Sequence, residues 1–222
     1  MKIIRPSVIL YMEGRTGDDL LRSIETYGRT CYKSESNITN DSVYSFVSNV
    51  ISRGHLSVIE HEKLTVRVVC DRGVTHEIVR HRIGSYSQES TRYCNYGDKD
   101  IEFVKPCFWD VEAFEIGNKE PVATDKRMII WETQMLKAEE TYHQLIQLHA
   151  TPQEARSVLP NSLKTEIVMT YNLREWRHFF ELRCAKTAHP QMREVALLLL
   201  KVISEYIPVV FDEFRDKYKE EL

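Results

Sequence analysis

The sequence lacks the short signatures of the large nucleotide-binding and metal-dependent folds. No G-x-G occurs in its 222 residues, which removes the dinucleotide fingerprint of doubly wound sheets, and no G-K-S or G-K-T is there to form a P-loop. A G-x-S-x-G elbow is missing as well, which counts against a serine hydrolase. His61-Glu62 and His76-Glu77 each lack the second histidine of H-E-x-x-H, and the spacings His55/His61 and His76/His81 put no two rings on one helical face. No metal site is expected. The five cysteines are odd in number and contain no C-x-x-C pair, so a disulfide framework or zinc ribbon is not expected, and a reducing cytoplasmic location fits them. Thirty basic against 33 acidic residues leave a net charge of −3, which opposes a polybasic nucleic-acid binder. The longest strongly apolar run, Val195 to Ile203, is interrupted by Lys201 and falls far short of the ~20 residues that cross a bilayer. Lys2 and Arg5 are followed by no small-residue cleavage site after Leu10, so neither a signal peptide nor a membrane partner is expected.

What is present is ordinary globular material, 42% hydrophobic and 28% charged. A chain of this length is expected to form one domain, residues 1–222, that buries roughly 70% of its unfolded surface. Lys2 to Leu10, with Pro6, reads as an edge strand. Asp18 can cap a helix with Leu20, Leu21, Ile24 and Tyr27 inward, and a second helix runs from about Thr39–Asp41 to Gly54. Lys63 to Cys70 alternates as a half-buried strand, Thr75 to Ile83 reads as a short helix, Gly84 to Asp98 as a polar loop and Ile101 to Val104 as a strand. Lys126 to His149 predicts one long helix. Thr151-Pro152-Gln153-Glu154 predicts the start of a short helix that Pro160 ends. Thr165 to Asn172 alternates as a strand, Glu175 to Ala185 follows as a helix, and the last helix starts at Pro190. Without a regular βαβ beat the expected class is α+β, a mixed or antiparallel sheet packed against several helices, one of them long.

The densest polar stretch, Arg80 to Tyr93, holds three arginines, a histidine and several hydroxyls. Guanidinium forks grip phosphate or carboxylate bidentately, and hydroxyls add neutral donors. The chemical reading is an anion site for a phosphorylated small molecule. A solvated basic turn, or a non-enzymatic nucleotide- or RNA-binding module using the Arg-rich 80–92 loop, are the alternatives.

Arg80-His81-Arg82, seven residues, then Ser90 resembles the R-H-R-x7-S signature of the flavin-dependent thymidylate synthases, and the match continues through Ser85, Arg92 and Tyr93. Gly54-His55-x-Ser57-x-x-Glu60-His61, Arg156-x-Val158-Leu159-Pro160, Asn172-x-Arg174 and Leu182-Arg183 follow the same family's order. The resemblance implies reductive methylation of dUMP to dTMP. Methylenetetrahydrofolate would supply the carbon, NADPH the hydride through bound FAD, and the assembly would be a homotetramer. It assigns dUMP to Glu77, Ile78, Val79, Arg80, Gln88, Glu89, Ser90, Thr91, Arg92, Arg156 and Arg183. FAD is assigned to Ser57, Arg80, His81, Arg82, Gln88, Asn172, Arg174 and His178. Arg183 is the expected catalytic residue, its charge stabilising the N3/O4 edge of uracil, with Ser90 positioning dUMP through its hydroxyl. Glu77 stands where the family usually has glutamine, which points it to a ribose hydroxyl or to Arg80.

Overall fold

The computed structural model describes residues 1–109 and 125–222. The strands are β1 (Lys2–Ile4), β2 (Ser7–Tyr11), β3 (Lys63–Asp71), β4 (Ser85–Gln88), β5 (Glu102–Val104) and β6 (Lys164–Asn172). The helices are α1 (Gly17–Thr30), α2 (Ser42–Ser52), α3 (Arg72–Ile78), α4 (Lys126–Gln147), α5 (Pro152–Ala155), α6 (Leu173–Arg183), α7 (Pro190–Tyr206) and α8 (Pro208–Lys217). β2, β3, β6 and β4 form a four-stranded sheet in that order. β1 pairs with β5 in parallel, Ile3 against Phe103, while Phe103 and Leu163 bridge in the antiparallel sense. The α+β class, with mixed pairing and one long helix, is therefore the observed one. None of the described helices is long and apolar enough to cross a membrane.

Two compact units make up the chain, one of Met1–Ser7, Val69–Val79 and Ser87–Ile167, the other of Val8–Val68, Arg80–Tyr86 and Val168–Leu222. Strands β2, β3, β4 and β6 each run from one unit into the other. In the first unit Ile101, Phe103, Met135, Tyr142, Ala155 and Leu163 form a buried cluster. The long helix α4 contributes Met135 and Tyr142 to it, seven residues apart on one face. In the second unit β3 and β6 place Leu64, Val66, Val68, Ile167 and Met169 inward at period two, Ile167 being the last residue of the first unit. An aromatic core of Tyr171, Trp176, Phe179, Phe180 and Phe211 is built mainly by α6.

Several local expectations are corrected, each for a physical reason. The predicted Lys2–Leu10 strand is two strands, because Pro6 brings no N–H donor to a ladder. Thr16, not Asp18, caps α1, in a reciprocal box with Asp19; Tyr27 on that helix is 45% exposed rather than inward. Asp71 Oδ1 accepts from the Val74 N–H and starts α3 directly off β3, earlier than Thr75; the helix ends at Ile78, with Val79 as its C-cap, and Arg80 to Ile83 lie outside it. The predicted polar loop contains β4, a short edge strand whose serines hide it from a search for apolar alternation. Pro208 divides the last helix into α7 and α8.

Candidate active site

Helix α6 carries most of the chemistry in the second unit. Asn172 caps it, its Oδ1 accepting from the Glu175 N–H at 2.8 Å. Leu173, Trp176, Phe179 and Phe180 are buried, and this apolar stripe turns Arg174 and His178, one helical turn apart, outward. Arg174 Nη1 donates to Glu60 Oε1 at 2.5 Å. A cavity of about 940 Å³ in this unit is lined by Asn172, Arg174 and His178, together with Leu56, Ile83 and Lys217 among others. It lies near the upper end of the roughly 300–1,000 Å³ typical of small-molecule sites. Its lining sets the cations Arg174, Arg177 and Lys217 beside four carboxylates, Glu60, Glu175, Glu181 and Glu213, and Glu60 and Glu213 pair with Arg174 and Arg177. A flavin dinucleotide would fit with its pyrophosphate displacing Glu60 from Arg174 and its ring system against Leu56, Ile83 and Phe214.

His81 sits at the centre of a second arrangement. The ring is buried, with Nδ1 2.9 Å from Glu175 Oε1, and Arg183 Nε donates to its Nε2 at 3.1 Å. A guanidinium only donates and a carboxylate only accepts, so this geometry assigns the neutral imidazole with its proton on Nδ1. Burial holds the His81 pKa below the usual histidine value, and the Arg183 charge adds to that effect while the Glu175 hydrogen bond opposes it. Backbone contacts fix the rest of the R-H-R turn. Tyr86 donates its hydroxyl to the His81 carbonyl, and the Tyr86 and Tyr171 hydroxyls lie 2.7 Å apart. Gly84 allows the chain to pass over the Tyr171 ring: a Cβ there would come within 2.3 Å of it.

Among the described residues, His81, Glu175 and His178 are the group with the side chains and proximity of a metal site. Arg183 argues against that use. A metal on Nδ1 would move the imidazole proton to Nε2, directly against the Arg183 N–H.

In the first unit the expected substrate residues gather around β4 and the turn after it. Gln88 Nε2 donates to Thr75 Oγ1 at 3.1 Å and Thr165 Oγ1 at 3.3 Å, which orients its amide. Arg156 Nη1 donates to Thr91 Oγ1 at 3.3 Å. Glu89 accepts from the Tyr96 hydroxyl at 2.8 Å and from Lys164 at 3.3 Å. Ser90 Oγ accepts from the Arg92 N–H at 3.3 Å, a local turn bond. Ile78 is fully buried on α3, leaving only its backbone for a ligand, whereas Val79 is 41% exposed; Glu77 is half-buried on the same helix.

The structure thus brings together His81 and Arg183 in one unit, and Gln88, Thr91 and Arg156 with their partners in the other. Ser57, Arg80 and Arg82 present exposed side chains outside the residues that line the 940 Å³ cavity. Glu175 escaped the sequence reading. Three residues after Asn172 it has the position of a helix-capping partner, and only the tertiary fold sets its carboxylate against a histidine 94 residues away.

Comparison with known proteins bears on what this geometry serves. A family model described as thymidylate synthase complementing protein matches residues 12–209. The flavin-dependent thymidylate synthase of Geobacter sulfurreducens is 33% identical over 190 residues, 82% of this chain and 77% of that protein. That of Pyrococcus furiosus is 32% identical over 184 residues, 82% and 71% of the two chains. Among solved structures, a UMP/dUMP methylase PolB from Streptomyces cacaoi, bound with 5-Br dUMP, is similar in fold. Its TM-score is 0.74, at 20% identity over 97% of both chains. A match running through nearly all of the chain, with relatives that share one enzymatic name, decides against a non-enzymatic nucleotide- or RNA-binding module. This chain belongs to the family of flavin-dependent thymidylate synthases.

Proposed function

We propose that this enzyme converts dUMP to dTMP, taking the carbon from methylenetetrahydrofolate and the hydride from NADPH by way of FAD. The observation that carries the reading is the hydrogen-bonded placement of Arg183 by His81 at the end of the helix whose other turns supply Arg174 and His178 to a dinucleotide-sized cavity. When bound, the flavin supplies hydride chemistry; the protein supplies position and charge. Asn172, Arg174 and His178 hold the cofactor, with Ser57, Arg80, Arg82 and Gln88 as further contacts. His81 serves the flavin site from within, since both its ring nitrogens are engaged by Glu175 and Arg183. Arg156 and Arg92 bind the nucleotide phosphate, with backbone and hydroxyl donors from Gln88 to Thr91 and the Glu77–Arg80 turn completing the grip. Arg183 stabilises negative charge on the N3/O4 edge as C5 becomes nucleophilic. Purified enzyme should be yellow and should form dTMP from dUMP only with both methylenetetrahydrofolate and NADPH. A colourless protein that no added flavin activates overturns the proposal.

Ser90 takes a binding role in this scheme. Among the described residues no histidine, lysine or carboxylate hydrogen-bonds to its hydroxyl, whose partner is the Arg92 N–H. Ser90→Ala should therefore retain turnover while dUMP binds about two- to tenfold more weakly, the equivalent of roughly 0.5–1.5 kcal/mol for a lost neutral hydrogen bond. Steady-state titration with dUMP reads this directly. Turnover abolished with dUMP affinity unchanged would instead make Ser90 the nucleophile.

The whole chain, 1–222, is proposed to act as a single synthase-like domain in the cytoplasm. Each compact unit is assembled from three separate segments, and four strands run through both, so neither can be excised intact. Closed symmetric association is the usual state of soluble enzymes, and a homotetramer of four 26.1 kDa chains is expected by light scattering. A monomer that turns over dUMP would refute it.

A further inference from the structure

We propose that Glu175 is a positioning residue for the methylation step, acting through the tautomer of His81 to aim Arg183. This rests on the reading above that Arg183 meets the pyrimidine. Glu175 and Arg183 stand at the two ends of α6, and His81 bridges them: Glu175 Oε1 to Nδ1 at 2.9 Å, Arg183 Nε to Nε2 at 3.1 Å. The ring has little other freedom. Phe179, His178 and Tyr171 wall it at centroid distances of 5.0, 5.7 and 6.0 Å. A carboxylate can only accept, so Glu175 requires the proton on Nδ1 and leaves the Nε2 lone pair for the guanidinium. Were the proton on Nε2, two N–H groups would face each other and Arg183 would turn away. The Glu175 side chain is itself buried, a costly place for a charge unless it is well hydrogen-bonded. Its position in the first turn of α6, where the helix dipole favours an anion, offsets part of that cost.

The same geometry sets a pH dependence. Glu175, His178 and Arg183 from α6, Tyr171 from β6 and Tyr86 from β4 surround His81. Protonating Nε2 breaks the bond to Arg183, so methylation fails on the acid side. The Glu175 carboxylate favours the protonated ring and Arg183 disfavours it. Glu175→Gln removes the negative charge, so His81 protonates at a lower pH than in the wild type. An amide can also donate, so the Nδ1–H tautomer is no longer enforced.

The test is anaerobic single-turnover dTMP formation by flavin-loaded, prereduced enzyme, followed from neutral to acid pH. Glu175→Gln is expected to lower the plateau roughly 10- to 100-fold, as loss of an outer partner does for metal-bound histidines. Its acid limb should move to lower pH, which a general loosening of the helix would not produce. In a His81→Ala background Glu175→Gln should add nothing further. An unchanged plateau and acid limb, or the full additional loss without His81, overturns the proposal. Imidazole ¹⁵N resonances of the wild-type enzyme judge it without any variant: His81 protonated at Nδ1 supports it and His81 protonated at Nε2 refutes it. Should Arg183→Ala methylate dUMP at the wild-type rate, the assignment of Arg183 falls, and the ¹⁵N measurement still decides the positioning.

Discussion

Arg183→Ala and Arg183→Lys are expected to keep bound FAD and its reduction by NADPH, yet to lose ~10²–10³ in single-turnover dTMP formation. The figure corresponds to about 3–4 kcal/mol of barrier, the effect of removing one donor from a preorganised charge-stabilising site. Uracil C5 attacks an electrophile only if charge spreads onto N3 and O4. One device is a thiolate adding at C6, but Cys31, Cys94 and Cys107 lie outside the R-H-R-x7-S motif, and the other two thiols offer little for it. Cys70 and Cys184 are buried, which pushes Cys70 far above the usual thiol value and Cys184 up to about 12. The remaining device is a fixed positive charge against the pyrimidine edge. Lysine should rescue poorly, because a point charge cannot keep the planar fork and the bond to His81 Nε2 together. Near-wild-type product formation in Arg183→Ala, or an equal loss in Cys94→Ala, would move the activating role elsewhere.

Trp176→Ala should be among the most destabilising single changes in the second unit. The side chain is fully buried, with Tyr171, Phe179 and Phe180 at ring-centroid distances of 4.8, 5.5 and 5.7 Å, and its Nε1 donates to the Leu64 carbonyl at 3.2 Å. Truncation removes the packing, leaves a cavity and orphans a carbonyl, for about 3–5 kcal/mol in all. At about 2–4 °C per kcal/mol for a chain of this size, melting should fall by roughly 6–20 °C. Trp176→Phe should recover most of the packing but not the hydrogen bond, and so lie between the two. Because Trp176 anchors the helix that carries Arg174, His178 and Arg183, the alanine variant should also bind flavin less well at temperatures where it is still folded. A melting point within a degree or two of wild type would show that α6 is held by something other than this aromatic core.

The elements that were legible in the sequence are those whose pattern is local. The alternation in Lys63–Asp71 and Lys164–Asn172 follows from strands with one buried face, and Thr151-Pro152 with Glu154 marks a helix start because capping involves only three neighbouring residues. β4 was not legible: an edge strand of Ser-Tyr-Ser-Gln is specified by its place in the sheet, where Tyr86 is half-buried and Gln88 reaches two buried threonines. The extent of α3 was missed for a similar reason, since its cap, Asp71, is also the last residue of a strand.

For the candidate site, the residue types and the family are written along the chain, because R-H-R-x7-S and the arginines and asparagine after it are fixed intervals in it. The tertiary structure alone decided what those groups do to one another. His81 reads as a ligand contact in sequence; the fold buries it between a carboxylate 94 residues away and a guanidinium 102 residues away. Its protonation state, and through it the direction of Arg183, is a property of that enclosure. No spacing along the chain encodes it, since the energy of a buried proton depends on which groups surround it in space.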